Sequence, residues 1–566
     1  MQVSRTVAVG LFVPSLLLVL SCCLDADAQM QQSTEHAVSG TVVSSTTHEP
    51  VGRALVFTSD LTHAAFTDDH GHFEFNLEGL PTGSGAQPGA GYPVSLQAKK
   101  PGFLTDAGSQ KTITVVRGQK PVTLSLVPEA LIVGRVEMPS AESAGQVQVQ
   151  LYRRDVNEGL AQWLPQNTVE TRADGSFRLS GLHPGEYKLF TLEAQERDPL
   201  NNLPNGPAYG FPPRYFPAAR DFASADTIQL HAGETITANI APERQRYYEV
   251  RIPVAGVESS NRRGMAVSVH PQGHPGPGFA LGFDRSQGAV RGTLPNGSYT
   301  VEVGSVGPEA ATGVASIIVA NGPVNAPTMA MAQNTSIDIN LHQDLPATGT
   351  TQTQTGRIAP DQPAYVALRS AEEFQDGRGG RTLYQAHGVP PVLQGVAPGR
   401  YWVQVQAPMG YAASISSGGR DLLRAPLVVP YGASVPPVEI ELRFDSAEIE
   451  VTVEARPNGS ATTVSGGVEG SAERATLVQP APGVSVYVIP LVNEGRAASQ
   501  AMGWSNGNAL IQNLPPGDYR ILAFDSPQSL EYRTPAAMRV YESSGRVVHV
   551  KPGEKAQVTV PLIESE

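Results

Sequence analysis

A short alternating apolar strand recurs five times along this 566-residue chain, each time closing a segment of similar length. It reads Val122-Thr-Leu124-Ser-Leu126, Ile236-Thr-Ala238-Asn-Ile240, Ile337-Asp-Ile339-Asn-Leu341, Val438-Glu-Ile440-Glu-Leu442 and Val558-Thr-Val560-Pro-Leu562. The last residues of these phrases lie 114, 101, 101 and 120 positions apart. In the last four segments a corner phrase comes first: Gly181-Leu-His-Pro-Gly-Glu-Tyr187, Gly292-Thr-Leu-Pro-Asn-Gly-Ser-Tyr299, Gly395-Val-Ala-Pro-Gly-Arg-Tyr401 and Asn513-Leu-Pro-Pro-Gly-Asp-Tyr519. The first segment has a diluted form, Gly79-Leu-Pro81, and then a Gly-rich insertion to Tyr92. A period of roughly 100 residues is too long for a solenoid and suits a string of β-domains, each with its own core. The expected fold is all-β: a tandem array of about five antiparallel Greek-key β-sandwich modules after a signal peptide. The boundaries expected are 1–28 for the signal, then 36–128, 129–243, 244–343, 356–445 and 446–566 for the modules.

The strands between these phrases support the same architecture. Thr67-Asp-Asp-His-Gly71-His-Phe73-Glu-Phe75 and Ala173-Asp174-Gly175-Ser-Phe177-Arg-Leu179 are Asp/Gly turns that launch alternating strands. Val267-Ser-Val269, Tyr401-Trp-Val403-Gln-Val405 and Val484-Ser-Val486-Tyr-Val488 alternate in the same way. Period-two alternation buries one face and solvates the other, as in antiparallel sheets stacked in a sandwich. No capped segment of helical period stands out beyond the N-terminus, and 57 Gly with 47 Pro punctuate many short strands. In the corner phrase Pro and Gly make the turn, while the Tyr enters the next strand. Its hydroxyl can bond back to nearby backbone, as in a tyrosine corner. Linkers are expected near Pro128-Glu129, at Pro242–Arg246, across Gln343–Thr355 and around Asp445-Ser446, with the third the expected hinge.

The N-terminus reads as a secretion signal: Arg5, an apolar run Val7–Leu20, and Ala26-Asp-Ala28 before Gln29. Val19-Leu-Ser-Cys22 is an alternative, a lipobox-like site that would put a lipid anchor on Cys22. Cys22 and Cys23 are the two cysteines, so after cleavage at Ala28 the chain would reach an oxidising compartment without disulfides. No other stretch nears the roughly 20 apolar residues of a membrane span. Net charge is −13 and there is no basic run, which argues against nucleic acid as a partner.

The sequence Val38-Ser-Gly40-Thr-Val42 through Thr67-Asp-x-x-Gly71-x-Phe73 resembles the carboxypeptidase regulatory-like domain. The likeness is good in the first module, fair in the second and weaker beyond. The resemblance implies a prealbumin-like β-sandwich, grouped with carbohydrate-binding-like folds and with the B-type repeats of Gram-positive adhesins. It also implies an exported bacterial protein of the kind found in acidobacteria. It does not imply peptidase activity, because the regulatory domain is not the catalytic one.

His183-Pro-Gly-Glu186 and His231-Ala-Gly-Glu234 match the His-x-x-Glu part of a zinc-peptidase ligand set, which also takes a distant His, but lie in turns without the helix-bearing context that set needs. Gly503-Trp-Ser505-Asn-Gly507 matches a nucleophile elbow and is followed by strand, not helix. Leu345-Pro-Ala-Thr-Gly349 matches a sortase signal but sits in a linker. His70, His72, Asp68 and Asp69, with His48, have metal-ligand residue types on a β-turn, where they need not converge. Modules three and four contain no lysine, so Lys–Asn isopeptide links are impossible there. The reading is therefore no catalytic residues, no metal and no cofactor. The most suggestive surface feature is Tyr209-Gly-Phe211-Pro-Pro-Arg214-Tyr215-Phe216-Pro217, too rich in Pro for a central strand. Tyr209, Phe211, Arg214, Tyr215 and Phe216 are its candidate ligand-binding residues, on a loop expected to project from module two. A loop packed against its own sandwich or module three is the competing structural reading.

The functional expectation is a non-enzymatic exported protein that binds or spaces something at the cell envelope: periplasm, outer-membrane surface or exterior. Its partner would be a polysaccharide or an envelope protein. Two alternatives stay open, a hydrolase with a site between modules and an accessory subunit of an outer-membrane transporter.

Overall fold

The computed structural model describes residues 37–76, 92–105, 109–115, 121–139, 144–195, 208–256, 264–305, 309–344, 364–374, 382–384, 391–407, 410–454, 484–492, 499–502, 508–525 and 527–563. The segment expected to be a signal peptide, Cys22, the insertion before Tyr92, the sortase-like match Leu345–Gly349 and the elbow-like match Gly503–Gly507 lie outside the described residues. The fold is nearly all strand; one helical turn, Pro535–Met538, with a 3-10 turn behind it, is the exception among the described residues. No helix in them is long and apolar enough to cross a membrane.

Two compact units divide the chain. The first holds module one and the strands beside it. Ala37–Ser44 pairs antiparallel with His72–Asn76 and parallel with Val122–Pro128, whose far edge takes Phe103–Leu104. A second sheet runs Ala64–Phe66, Leu55–Thr58, Tyr92–Lys99, Gln110–Val115. Val38, Val42, Val56, Phe73, Leu96, Leu124 and Leu126 form its buried core, as the alternation requires. The three-stranded sheet Ser176–Leu182, Ala130–Arg135, Thr235–Thr237 falls largely in this unit as well.

The second unit contains the other sheet of module two and all of modules three, four and five. In module two Leu160–Glu170, Gln148–Asn157, Gly185–Thr191 and Arg214–Tyr215 run side by side. Module three opens with Gln245–Ala255, module four with Thr335–Asp344 and module five with Ala447–Glu454. Modules three and four each bury one apolar cluster between their two sheets. In module five a single strand, Lys555–Ile563, joins both layers: it runs parallel to Ala447–Glu454 and then to the end of Gly517–Phe524.

One rule relates the modules. The opening strand pairs in parallel with the closing one: Gly40 with Val122, Leu131 with Thr235, Val250 with Val324, Ile339 with Val438, and Val451 with Val558. The sheets are thus mixed, not purely antiparallel. The same rule corrects one boundary. Ile337–Leu341, expected to close module three, belongs to the strand that opens module four, and residue 343 falls inside that strand. Module three closes earlier, with Val324–Asn325 and Met329–Ala330. Alternation identifies a half-buried strand but carries no information on which partner it takes.

Local chemistry explains the recurring phrases. Tyr187, Tyr299, Tyr401 and Tyr519 are all buried. Three of their hydroxyls donate to the carbonyl four residues back: Tyr299 to Pro295 at 3.0 Å, Tyr401 to Ala397 at 3.0 Å and Tyr519 to Pro515 at 2.6 Å. This is the tyrosine-corner geometry that the spacing suggests. The resemblance between modules one and two also has a steric basis. A side chain at Gly40 would overlap the Val122 carbonyl and come within 2.6 Å of the Phe73 ring. At Gly134 it would meet the Ala238 carbonyl and Phe177 in the same way. Glycine in the opening strand makes room both for the parallel partner and for the Phe that follows the Asp/Gly turn.

Candidate functional site

The Tyr209–Pro217 segment is not a projecting loop. Ala208–Phe211 is a strand that pairs with Ala194–Gln195 on one side and with the start of module three's opening strand on the other, Ala208 opposite Tyr247. Arg214–Tyr215 pairs with Phe190 and Thr191 at the edge of module two's sheet. The two prolines between these strands, Pro212 and Pro213, let the chain leave one sheet and join the next. The segment therefore ties module two to module three.

Its aromatic rings are largely consumed by this role. Tyr215 is buried, stacks on Phe190 at 4.9 Å, and its hydroxyl donates to the Pro277 carbonyl. Phe211 is buried, Phe216 half-buried, and half-buried Tyr209 carries the Arg244 guanidinium 4.1 Å above its ring. These rings present no exposed coplanar platform. Arg214 is placed differently: it lines a cleft of about 410 Å³ whose opposite wall is module three. Beneath the same joint, Glu193 is pushed up to about 7, chiefly by burial. The Ala280 amide donates to it at 3.2 Å and Tyr247 lies beside it.

Tyr215 enters an aromatic cluster that the sequence does not announce. Tyr152, Trp163, Phe190, Tyr215 and Phe222 come from module two, and Phe374 from module four packs on them. Buried Lys188 lies among these rings, 4.9 Å from Phe222 and 5.2 Å from Trp163, and its ammonium donates to the Phe222 and Ala223 carbonyls. Burial lowers its pKa. The signal missed is a set of aromatic residues on the outward face of strands, at positions an alternating pattern assigns to solvent.

That cluster is one side of a larger junction. The hairpin Gln148–Asn157/Leu160–Glu170 reaches modules four and five, more than 200 residues later in sequence. The Trp163 amide donates to the Glu373 carbonyl at 2.8 Å, and its indole Nε1 to the Glu373 carboxylate at 3.1 Å. Arg154 forms a two-pronged pair with Glu531, one contact at 2.9 Å, and also meets Glu186 at 3.4 Å and Glu373 at 3.4 Å. The bonds to Glu531 raise the arginine's already high pKa, so it stays charged. At the hairpin tip the Glu158 carbonyl accepts from Arg533 Nε at 2.8 Å, and the Glu158 carboxylate bonds Gln404. Gly159, at φ 77°, lies against the Tyr532 ring, where a Cβ would approach to 2.6 Å. Arg533 itself is buried over Trp402, 5.1 Å from the ring centre.

The motifs with catalytic or metal-like residues have structural employment. His231 and Glu234 bond each other: the His231 amide donates to the Glu234 carboxylate at 2.8 Å and the ring Nδ1 lies 2.9 Å from it, within the turn before a closing strand. Lys551-Pro-Gly-Glu554 makes the equivalent turn in module five, with the Lys551 amide 2.7 Å from Glu554. Glu186 is engaged by Arg154. In the His70/His72 turn, the Asp68 carboxylate accepts from the amides of His70 and His72 at 2.9 and 2.8 Å, and these bonds lower its pKa. No group of three or more His, Cys, Asp or Glu side chains converges in metal-binding geometry among the described residues.

No protein-family model and no curated protein matches the chain. Solved structures that match include the Bacillus anthracis TIE protein, at 10% identity over 94% of this chain and 69% of that one, TM-score 0.14. A minor pilin of Streptococcus agalactiae matches at 13% identity over 39% of this chain and 99% of its own, TM-score 0.19. The BcpA major pilin subunit of Bacillus cereus matches at 11% identity over 76% of this chain and 99% of its own, TM-score 0.13. Scores of this size carry no inference about what this chain does.

Proposed function

We propose that this chain is a non-enzymatic, exported β-sandwich protein that serves as a structural spacer at the cell envelope, built from carboxypeptidase regulatory-like modules. The observation that carries the reading is the junction around Arg154, Trp163 and Arg533. It commits an arginine, a tryptophan and a hairpin tip to fastening module two onto modules four and five. The strand Ala208–Phe211 likewise lends module two's chain to module three's sheet. A flexible string of domains would need none of these contacts, whereas a spacer that holds a fixed geometry does. Export is supported by the apolar run Val7–Leu20 and the Ala26-Asp-Ala28 site. The absence of catalysis is supported by the structural employment of His231, Glu234 and Glu186.

Calorimetry of the mature full chain tests the reading. Modules two, four and five are expected to unfold in one transition, and Trp163→Ala with Arg154→Met should split it. Separate transitions already present in the unmodified protein would reject a fixed spacer.

A further inference from the structure

We propose that the cleft between the Pro212–Arg214 segment and module three is a binding site for a neutral saccharide, with Arg214 and Glu243 as its polar centre. This inference is independent of the spacer reading, because the junction around Arg154 plays no part in it.

The cleft's volume, about 410 Å³, lies in the range of small-ligand sites. Arg214 is anchored at its inner end: its amide bonds the Thr191 hydroxyl at 3.2 Å and its side chain is only 15% exposed. A guanidinium has five N–H donors. Here Nη2 donates to Glu243 at 3.2 Å, Glu243 is its one side-chain partner among the described residues, and buried Nε has no acceptor among them. A buried guanidinium donor without an acceptor is costly unless something else supplies one. Glu243, by contrast, is half in solvent and keeps acceptor capacity. A donor-rich and an acceptor-rich group held side by side suit a pair of neighbouring hydroxyls, each of which can accept from the arginine and donate to the carboxylate.

Charge and wall chemistry narrow the ligand. Arg214 and Arg220 are offset by Glu243 and Asp221, so the cleft carries no excess of one sign to select a polyanion. Pro212, Pro213, Pro271 and Pro295 line it. Proline offers flat C–H surface and no N–H, which denies an extended peptide the backbone donors that strand-type recognition needs. Phe279 adds a ring held edge-on against Tyr299 at 5.2 Å. A pyranose, with C–H faces and a hydroxyl edge, matches both kinds of wall. The site is also preorganised: the Tyr299 and Tyr215 hydroxyls are tied to backbone on either side of it.

The test is calorimetric titration of the mature full chain with cellotetraose, maltotetraose and chitotetraose, and with a short acidic peptide and a polyphosphate as comparators. At least one oligosaccharide should bind saturably. Ser298→Trp places a bulky ring in the cleft from an exposed strand position and should weaken that binding at least ~10-fold with the melting temperature unchanged. Arg214→Gln should weaken it similarly, and if that variant also lowers the melting temperature, Ser298→Trp decides. The proposal is overturned if folded protein binds none of the oligosaccharides, if Ser298→Trp binds as well as the unmodified chain, or if the peptide or polyphosphate binds more tightly than any sugar.

Discussion

Arg154→Met is the sharpest probe of how the modules are fastened. The substitution keeps most of the side-chain stem and removes a guanidinium that faces three carboxylates. Their contributions differ. Glu186 and Glu373 are 40% and 59% exposed, so solvent and salt reduce each to a few tenths of a kcal/mol. Glu531 is only 16% exposed and shares two parallel bonds with an arginine that is 24% exposed, which places the pair at about 1.5–3 kcal/mol. Losing Arg154 also leaves Glu531 with less solvent and no cation, among two like charges. The junction should therefore weaken by about 2–4 kcal/mol. The assay is a double-mutant cycle of Arg154→Met and Glu531→Gln, read by hydrogen exchange of the amides from Asn157 to Trp163. A coupling of about 1–3 kcal/mol is expected, with faster exchange at the hairpin tip in Arg154→Met. A coupling below about 0.3 kcal/mol, with tip exchange unchanged, would refute the assignment of Arg154 as the fastening residue.

Two further outcomes follow from buried groups. Glu193 has a folded-state pKa of about 7, above its ordinary 4.5, so the folded protein holds the proton more tightly than the unfolded chain. Its contribution is intact below pH 4.5 and is lost as pH rises toward 7, by at most about 3 kcal/mol. The melting temperature of module three should fall across that window, and Glu193→Gln, beside Tyr247 and Tyr299, should flatten the profile; a slope unchanged in the variant would exclude Glu193 as its source. Tyr401→Phe and Tyr519→Phe should each cost about 1 kcal/mol in urea unfolding, since each removes one corner hydrogen bond and leaves a carbonyl unpaired. Equal stability would mean that solvent satisfies those carbonyls.

Much of this architecture can be read residue by residue. Asp68 and Asp174 each accept from amides two residues on, which is what an Asp/Gly turn needs whatever surrounds it. Tyr401 and Tyr519 reach back four residues, again a local geometry. Val38, Val42, Leu124 and Leu126 are buried because they share a strand face, and the period of two says so. Four of the five recurring phrases lie wholly within strands for the same reason, and the second is strand over Thr235–Thr237 with a bridge at Ile240. The candidate site was only partly legible. The run Tyr209–Pro217 is conspicuous, yet of its five named residues only Arg214 lines the cleft, while Phe211 and Tyr215 are buried in packing.

Sequence alone thus determined the local grammar: which stretches are strands, where they turn, which side chains face inward, and that the unit repeats. Tertiary structure decided the partners. It made Ile337–Leu341 an opening strand by pairing it with Val438–Arg443, and it set Glu243 and Phe279 across from Arg214. It also brought Arg154 to Glu531 across 377 positions of sequence. The physical reason is one of range. Backbone dihedrals and face alternation are fixed by neighbouring residues, whereas the choice of a sheet edge or a counter-charge is settled by what else the folded chain carries into reach.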